Sequence, residues 1–120
     1  MAVAKRGKRD RRERRPPVAI DYSDADGNVL SLRASLSPGT VAKIREVAPR
    51  GAASIEDARA RREELLFERL AVSWEIAGLP LTDQGMLLGR LRMASAEELA
   101  WVRRALAEHV EAHIPELDDR

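Results

Sequence analysis

Apolar and polar residues change their period along this chain. Val18, Ile20 and Tyr22 alternate with Ala19 and Asp21, and Leu30, Leu32 and Ala34 alternate with Ser31 and Arg33, the period of half-buried strands. Between them Asp24-Ala25-Asp26-Gly27-Asn28 supplies turn chemistry, so residues 17–36 predict a β-hairpin. Beyond Ser37 the apolar spacing moves to three and four, and four helices are predicted. Ser37-Pro38 or Thr40 opens the first, with Val41, Ile44 and Val47 or Ala48 facing inward, and Pro49-Arg50-Gly51 ends it. Ser54, with an acid three positions on at Asp57, starts the second. The pattern carries that helix to about Ala77, where Gly78-Leu79-Pro80 stops it. Thr82 caps a short third helix carrying Met86, Leu87 and Leu91. Ser95-Ala96-Glu97-Glu98 is a capping box opening a fourth helix that ends at Pro115. The predicted fold is α+β and mostly α: an N-terminal hairpin followed by a compact group of about four helices.

The second and fourth helices differ in how much apolar surface they present. Over residues 65–77 only Glu68, Arg69, Ser73 and Glu75 are polar. As a helix, Leu66, Leu70, Trp74 and Ala77 form one stripe and Leu65, Val72 and Ile76 a second, so it needs neighbours on nearly every side. Those neighbours come either from the same chain or from a second subunit, which makes a homo-oligomer one expectation. In the fourth helix Leu99, Val102, Leu106, Val110 and Ile114 share one face, and Glu97, Arg104, Glu108 and Glu111 lie opposite. Trp101 falls off the main stripe beside Ala105 and Ala112. It is either an interface anchor or a side chain covered by another element of the chain.

Composition narrows the classes of function. At 120 residues the chain holds about one domain, and a 44% hydrophobic content excludes disorder throughout. No apolar run reaches the roughly 20 residues of a membrane span and the N-terminus has no apolar leader core, so a soluble, unexported protein without membrane contact is expected. With no cysteine, disulfides, thiol catalysis and cysteine-ligated metals are excluded. A formal net charge of +1 conceals a partition. Lys5, Arg6, Lys8, Arg9, Arg11, Arg12, Arg14 and Arg15 outnumber Asp10 and Glu13, giving +6 over residues 1–15 and −5 over the remainder. Residues 1–16 therefore read as a disordered basic arm and residues 17–120 as a single hairpin-plus-helices domain.

Candidate chemistry is sparse. His109 and His113 lie four apart on one helical face, a spacing that can put two imidazoles on one metal. The zincin motif needs glutamate directly after the first histidine, and here Glu111 stands two positions on. Both histidines fall on the apolar stripe, which favours packed or border histidines over ligands. Aligning Gly27 with the invariant glycine of a calcium loop puts Tyr22 and Arg33 where oxygen donors belong, which leaves a hairpin turn. No phosphate loop, dinucleotide fingerprint or nucleophile elbow occurs, so neither enzymatic activity nor a cofactor is expected. The basic arm has three readings: a solubilising tail, a non-specific nucleic-acid tether, or a segment docking on an acidic protein. It has no aromatic side chain for base stacking.

The text Leu70-Ala71-Val72-Ser73-Trp74-Glu75-Ile76, the turn Gly78-Leu79-Pro80-Leu81-Thr82, and the ending His113-Ile114-Pro115-Glu116-Leu117 resemble the small tail assembly chaperones of long-tailed bacteriophages and prophages, especially those of actinobacterial hosts. The N-terminal strand pair with Asp26-Gly27 at its turn is similar as well. The resemblance covers about half the chain, residues 61–117, and extends loosely to the hairpin. It implies a non-enzymatic protein in the cytoplasm of a bacterial host that binds the tape measure protein and helps recruit tail tube subunits during virion morphogenesis. Within the matching text it makes Leu66, Leu70, Trp74 and Ile76 candidate partner-binding residues, to which the position of Trp101 adds one more. The basic arm departs from the family and keeps two alternatives open: a structural virion or connector protein, and a nucleic-acid-binding accessory protein.

Overall fold

The structure, a computed structural model, describes residues 18–46 and 55–117. The basic arm, the inward positions Val47 and Ala48, the stop at 49–51 and the Ser54 cap lie outside the described residues. The architecture is α+β and mostly helical. Strand β1 (Ala19–Ser23) and strand β2 (Val29–Arg33) form the expected hairpin, followed by helix α1 (Pro38–Glu46) and helix α2 (Ile55–Leu70). Strands β3 (Ala71–Ile76) and β4 (Leu79–Leu81) then join the sheet, and helices α3 (Gln84–Arg92) and α4 (Ala96–His113) complete the fold with a 3-10 turn at Pro115–Leu117.

The β1–β2 turn is held by one carboxylate. Asp24 Oδ1 accepts from the backbone N–H groups of Asp26 and Asn28, and Oδ2 accepts from Asn28 Nδ2, all at 2.9 Å. Gly27, at φ +84°, takes the left-handed conformation that side chains disfavour. Partial burial pushes the Asp24 carboxyl up, but the bonds from Asn28, Asp26 and Gly27 outweigh it and leave it below its usual value. Asn28 Oδ1 in turn accepts from Ala77 N at 3.0 Å, tying this turn to the β3–β4 turn.

The predicted second helix is corrected here: α2 ends at Leu70, and Ala71–Ile76 is a strand. Val72, Trp74 and Ile76 are the branched and aromatic types that favour a pleated, half-buried surface, and β2 offers its free edge to them. The sheet is antiparallel in the order β1-β2-β3-β4. Trp74 lies opposite Leu30, and Ala71 opposite Leu32, with a shift of register between Ser31 and Leu32 that leaves Val72 as an extra residue. Gly78 also proves to be a hairpin residue and not a helix stop. Ala77 at φ +53° and Gly78 at φ +80° have the paired positive φ values of a type I′ connection.

One face of the sheet is covered. Leu30, Leu32, Ala71 and Trp74 join Val41 and Ile44 of α1, Leu66, Phe67 and Leu70 of α2, and residues of α3 and α4 in a single buried cluster. The Phe67 and Trp74 rings meet edge to face with centroids 5.8 Å apart. The other face shows the polar row Asp21, Ser31 and Ser73, where Ser31 Oγ donates to Asp21 Oδ1 at 2.6 Å. A sheet with one dry and one wet face gives the alternation seen in the hairpin sequence.

Helix caps follow the sequence with one correction. Asp83, not Thr82, caps α3, its carboxylate accepting from Met86 N at 3.0 Å. Of the apolar residues on this helix, Leu87 and Leu91 are buried and Met86 is exposed. The capping box of α4 is complete: Ser95 Oγ accepts from Glu98 N at 3.1 Å, and Glu98 Oε1 accepts from Ser95 N at 2.9 Å. Among the described residues no helix is long and apolar enough to cross a membrane.

Candidate functional site

The two histidines have different surroundings. His109 is fully buried on α4, facing the hairpin. Its Nε2 lies 2.7 Å from the Arg33 carbonyl and its Nδ1 2.7 Å from the Tyr22 hydroxyl. A carbonyl can only accept, so Nε2 carries the proton and Nδ1 accepts from Tyr22. Burial pulls the imidazole pKa down; the Arg33 carbonyl opposes this and His113 adds to it. Tyr22 is shifted up, first by burial and then by the nearby Glu108 carboxylate. His113, placed on the same apolar stripe by the sequence, is exposed, with its ring centroid 4.9 Å from that of His109. Since both nitrogens of His109 are engaged within the chain, the pair does not converge on a metal. Among the described residues no group of three or more His, Asp or Glu side chains is placed to hold one. The Tyr22–His109 contact is a latch between the hairpin and α4.

Trp101 lies beside that latch. It is half-buried and packed against the core, and with Tyr22, Arg104 and Glu108 it lines a cleft of about 150 Å³. Trp74 is in the core, with its indole Nε1 lacking a hydrogen-bond partner among the described residues and the Arg90 guanidinium 5.3 Å from its ring centroid. Arg90 also meets Glu98 at 2.5 Å. That hydrogen bond, followed by the one from Ser95 N, lowers the Glu98 carboxyl despite partial burial. Capping residue, arginine and tryptophan thus connect the start of α4 to β3.

Of the residues assigned to a partner from sequence, Leu66, Leu70 and Trp74 are buried by the chain itself, while Ile76 and Trp101 are half-buried against the same core. The folded surface instead exposes Val18, Ile55, Leu79, Met86 and Met93. Met86 and Met93 were readable in principle: seven apart, they share a side of α3 opposite Leu87 and Leu91. A second feature missed from sequence is the seam between α2 and α4. There Arg103 Nε meets Glu63 Oε1 at 2.7 Å, and Arg92, at the end of α3, forks onto Glu64 at 3.0 and 3.1 Å. This fork lowers the Glu64 carboxyl, against the opposing effect of partial burial, and raises the Arg92 guanidinium. Scanned against family models, curated proteins and solved structures, the chain matches none of them.

Proposed function

We propose that this protein is a non-enzymatic tail assembly chaperone that binds a tape measure protein and helps recruit tail tube subunits in the cytoplasm of a bacterial host. One observation carries the reading from text to surface. Within the segment bearing the resemblance, Leu79, Met86 and Met93 remain 73%, 58% and 81% exposed after the core has closed. Leu79 opens β4 within the matching text Gly78–Thr82, and Met86 and Met93 lie in the first turn and at the C-cap of α3. Methionine is flexible and polarizable, which suits a surface that must cover apolar helices of varied sequence. In this reading these three side chains meet the partner, while Leu66, Leu70 and Trp74 fill the core.

Co-expression with the tape measure protein of the same genome is the test. A stable complex and a more soluble tape measure are expected, with Met86→Glu and Met93→Glu reducing recovery of the complex while leaving the circular dichroism spectrum unchanged. If the solubility of the tape measure does not move and no complex elutes, the reading fails. Recovery of the chain from purified particles would favour a structural virion or connector subunit instead. The eight cations at residues 5–15 favour a further reading, an accessory protein on nucleic acid. It requires binding that weakens with salt and with deletion of residues 1–15.

A further inference from the structure

The two edges of the sheet differ in what their backbones offer. In β4, Leu79 pairs with Ile76 across the two-residue turn, so the position of this strand that faces outward is Pro80. Proline has no N–H, and this edge gives an incoming strand no donor there. The edge of β1 is open. Val18 O accepts from Ala34 N at 2.9 Å, and Asp24 N donates to Asn28 O at 3.0 Å. Hydrogen-bonded pairs alternate along an antiparallel ladder. These two bonds therefore turn the backbones of Ile20 and Tyr22 toward β2 and leave the N–H and C=O groups of Ala19, Asp21 and Ser23 pointing away from it. Val18, Asp21 and Ser23 are exposed along this edge. Beside it, Tyr22 and Ser23 of β1 and Trp101, Arg104, Ala105 and Glu108 of α4 line the cleft of about 150 Å³.

We infer that the free edge of β1 takes on an extended segment of a protein partner, which sets an apolar side chain over the cleft beside Trp101 and a cation opposite Asp21. An extended backbone is the ligand that satisfies a row of free N–H and C=O groups, and its alternate side chains then supply specificity. Successive residues of an added strand point to opposite faces. The residue level with Tyr22 shares its face and lies over the cleft, where the half-buried Trp101 ring gives apolar cover. Its neighbour, level with Asp21, stands on the wet face. There Asp21 has Ser31 as its hydrogen-bond partner and meets no cation among the described residues. A lysine at that position gains the opposite-charge pair that adjacent strands favour. The same carboxylate disfavours a second copy, because a twofold pairing that uses Ala19, Asp21 and Ser23 together sets Asp21 against Asp21. None of Leu79, Met86 and Met93 takes part, so the edge stands or falls independently of the chaperone reading.

The probe is a fluorescein-labelled, end-blocked peptide of about seven residues in which lysine and threonine alternate with leucine and valine. It is titrated with the full chain by fluorescence anisotropy. Saturable binding is expected, with amide hydrogen exchange slowing at Ala19, Asp21 and Ser23 and unchanged at Ile20 and Tyr22, which are already paired with β2. Methylation of the lysine and threonine backbone nitrogens, which face β1, should abolish binding. Methylation of the leucine and valine nitrogens, which face away, should leave it unchanged. Glutamate in place of lysine should weaken binding by about tenfold, and Asp21→Lys should restore the glutamate peptide. The inference is overturned if binding does not saturate, if the two methylated peptides bind alike, if Asp21→Lys does not exchange the preference, or if exchange slows elsewhere. Binding seen only after removal of residues 1–15 gives the edge to the chain's own arm. A free chain that sediments as a dimer, with the amides of Ala19, Asp21 and Ser23 already protected, gives it to a second copy, and either result overturns the partner.

Discussion

Acidification should loosen the latch between the hairpin and α4, and its effect has a definite sign. His109 is fully buried, its Nε2 donates to the Arg33 carbonyl, and its Nδ1 accepts from Tyr22. Burial holds its pKa below the ordinary histidine value, which in the unfolded chain is about 6.5. Between the folded and unfolded values the unfolded chain binds a proton that the folded chain refuses. Stability therefore falls as the pH drops below about 6.5 and levels off beneath the folded value. One proton sets the steepest slope, about 1.4 kcal/mol per pH unit, against a total of about 5–15 kcal/mol for a domain. The Tyr22 oxygen can turn a lone pair toward a protonated Nδ1, so the loss comes mainly from burying charge. Asp24, Glu64 and Glu98, all with lowered carboxyl pKa values, lose their contributions only at more acid pH. The assay is urea unfolding followed by tryptophan fluorescence from about pH 7.5 to 5. His109→Gln should flatten the midpoint over that range. A wild-type midpoint that does not move, or a slope that survives His109→Gln, refutes the reasoning.

Other substitutions probe the elements that position the surface. Ala77 sits at φ +53° next to Gly78 in a two-residue hairpin turn, a conformation that asparagine tolerates better than alanine. Ala77→Asn should stabilise by about 0.5–1 kcal/mol, read as a higher melting temperature. Ser95→Ala removes the acceptor for Glu98 N and should cost about 1 kcal/mol in chemical denaturation. Trp74→Ala should cost about 3–5 kcal/mol through the cavity beneath β3. Trp74→Phe should cost much less, because it retains an aromatic ring and removes a buried N–H that has no acceptor.

How much of the candidate surface could be read from the chain depended on whether its determinants were local. The capping box at Ser95 and the turn at Asp24-Asn28 are local, and both form as the residue types require. The partner of His109 is not local, since Tyr22 and Arg33 lie 87 and 76 positions away. Two signals pointed toward it: a polar ring on an apolar helix stripe, and a tyrosine on the inward parity of a strand. Neither names its partner without the packing of α4 on the hairpin. The same holds for the α2–α4 seam, where Glu63, Glu64, Arg92 and Arg103 find each other across 28 and 40 residues. Individual charged residues on exposed helix faces carry no sign of which will pair with which.

The helical spacing at 71–77 and the strand that forms there have one physical cause. A bulge places Val72 out of register, so Ala71 and Trp74, three apart, both turn toward the core. Spacing by three, continuing from Leu66 and Leu70, is the mark of a helix; a bulged strand imitates it because the extra residue resets the alternation. Read as a helix, residues 65–77 present apolar surface on nearly every side and need neighbours from the same chain or from a second subunit. As a helix end followed by an inner strand, the same residues are satisfied: Leu66, Leu70 and Trp74 fill one core, and β2 and β4 flank β3. Excess apolarity at 65–77 therefore no longer argues for binding. The apolar side chains that the completed fold leaves outside are instead Leu79 and Met86 with Met93.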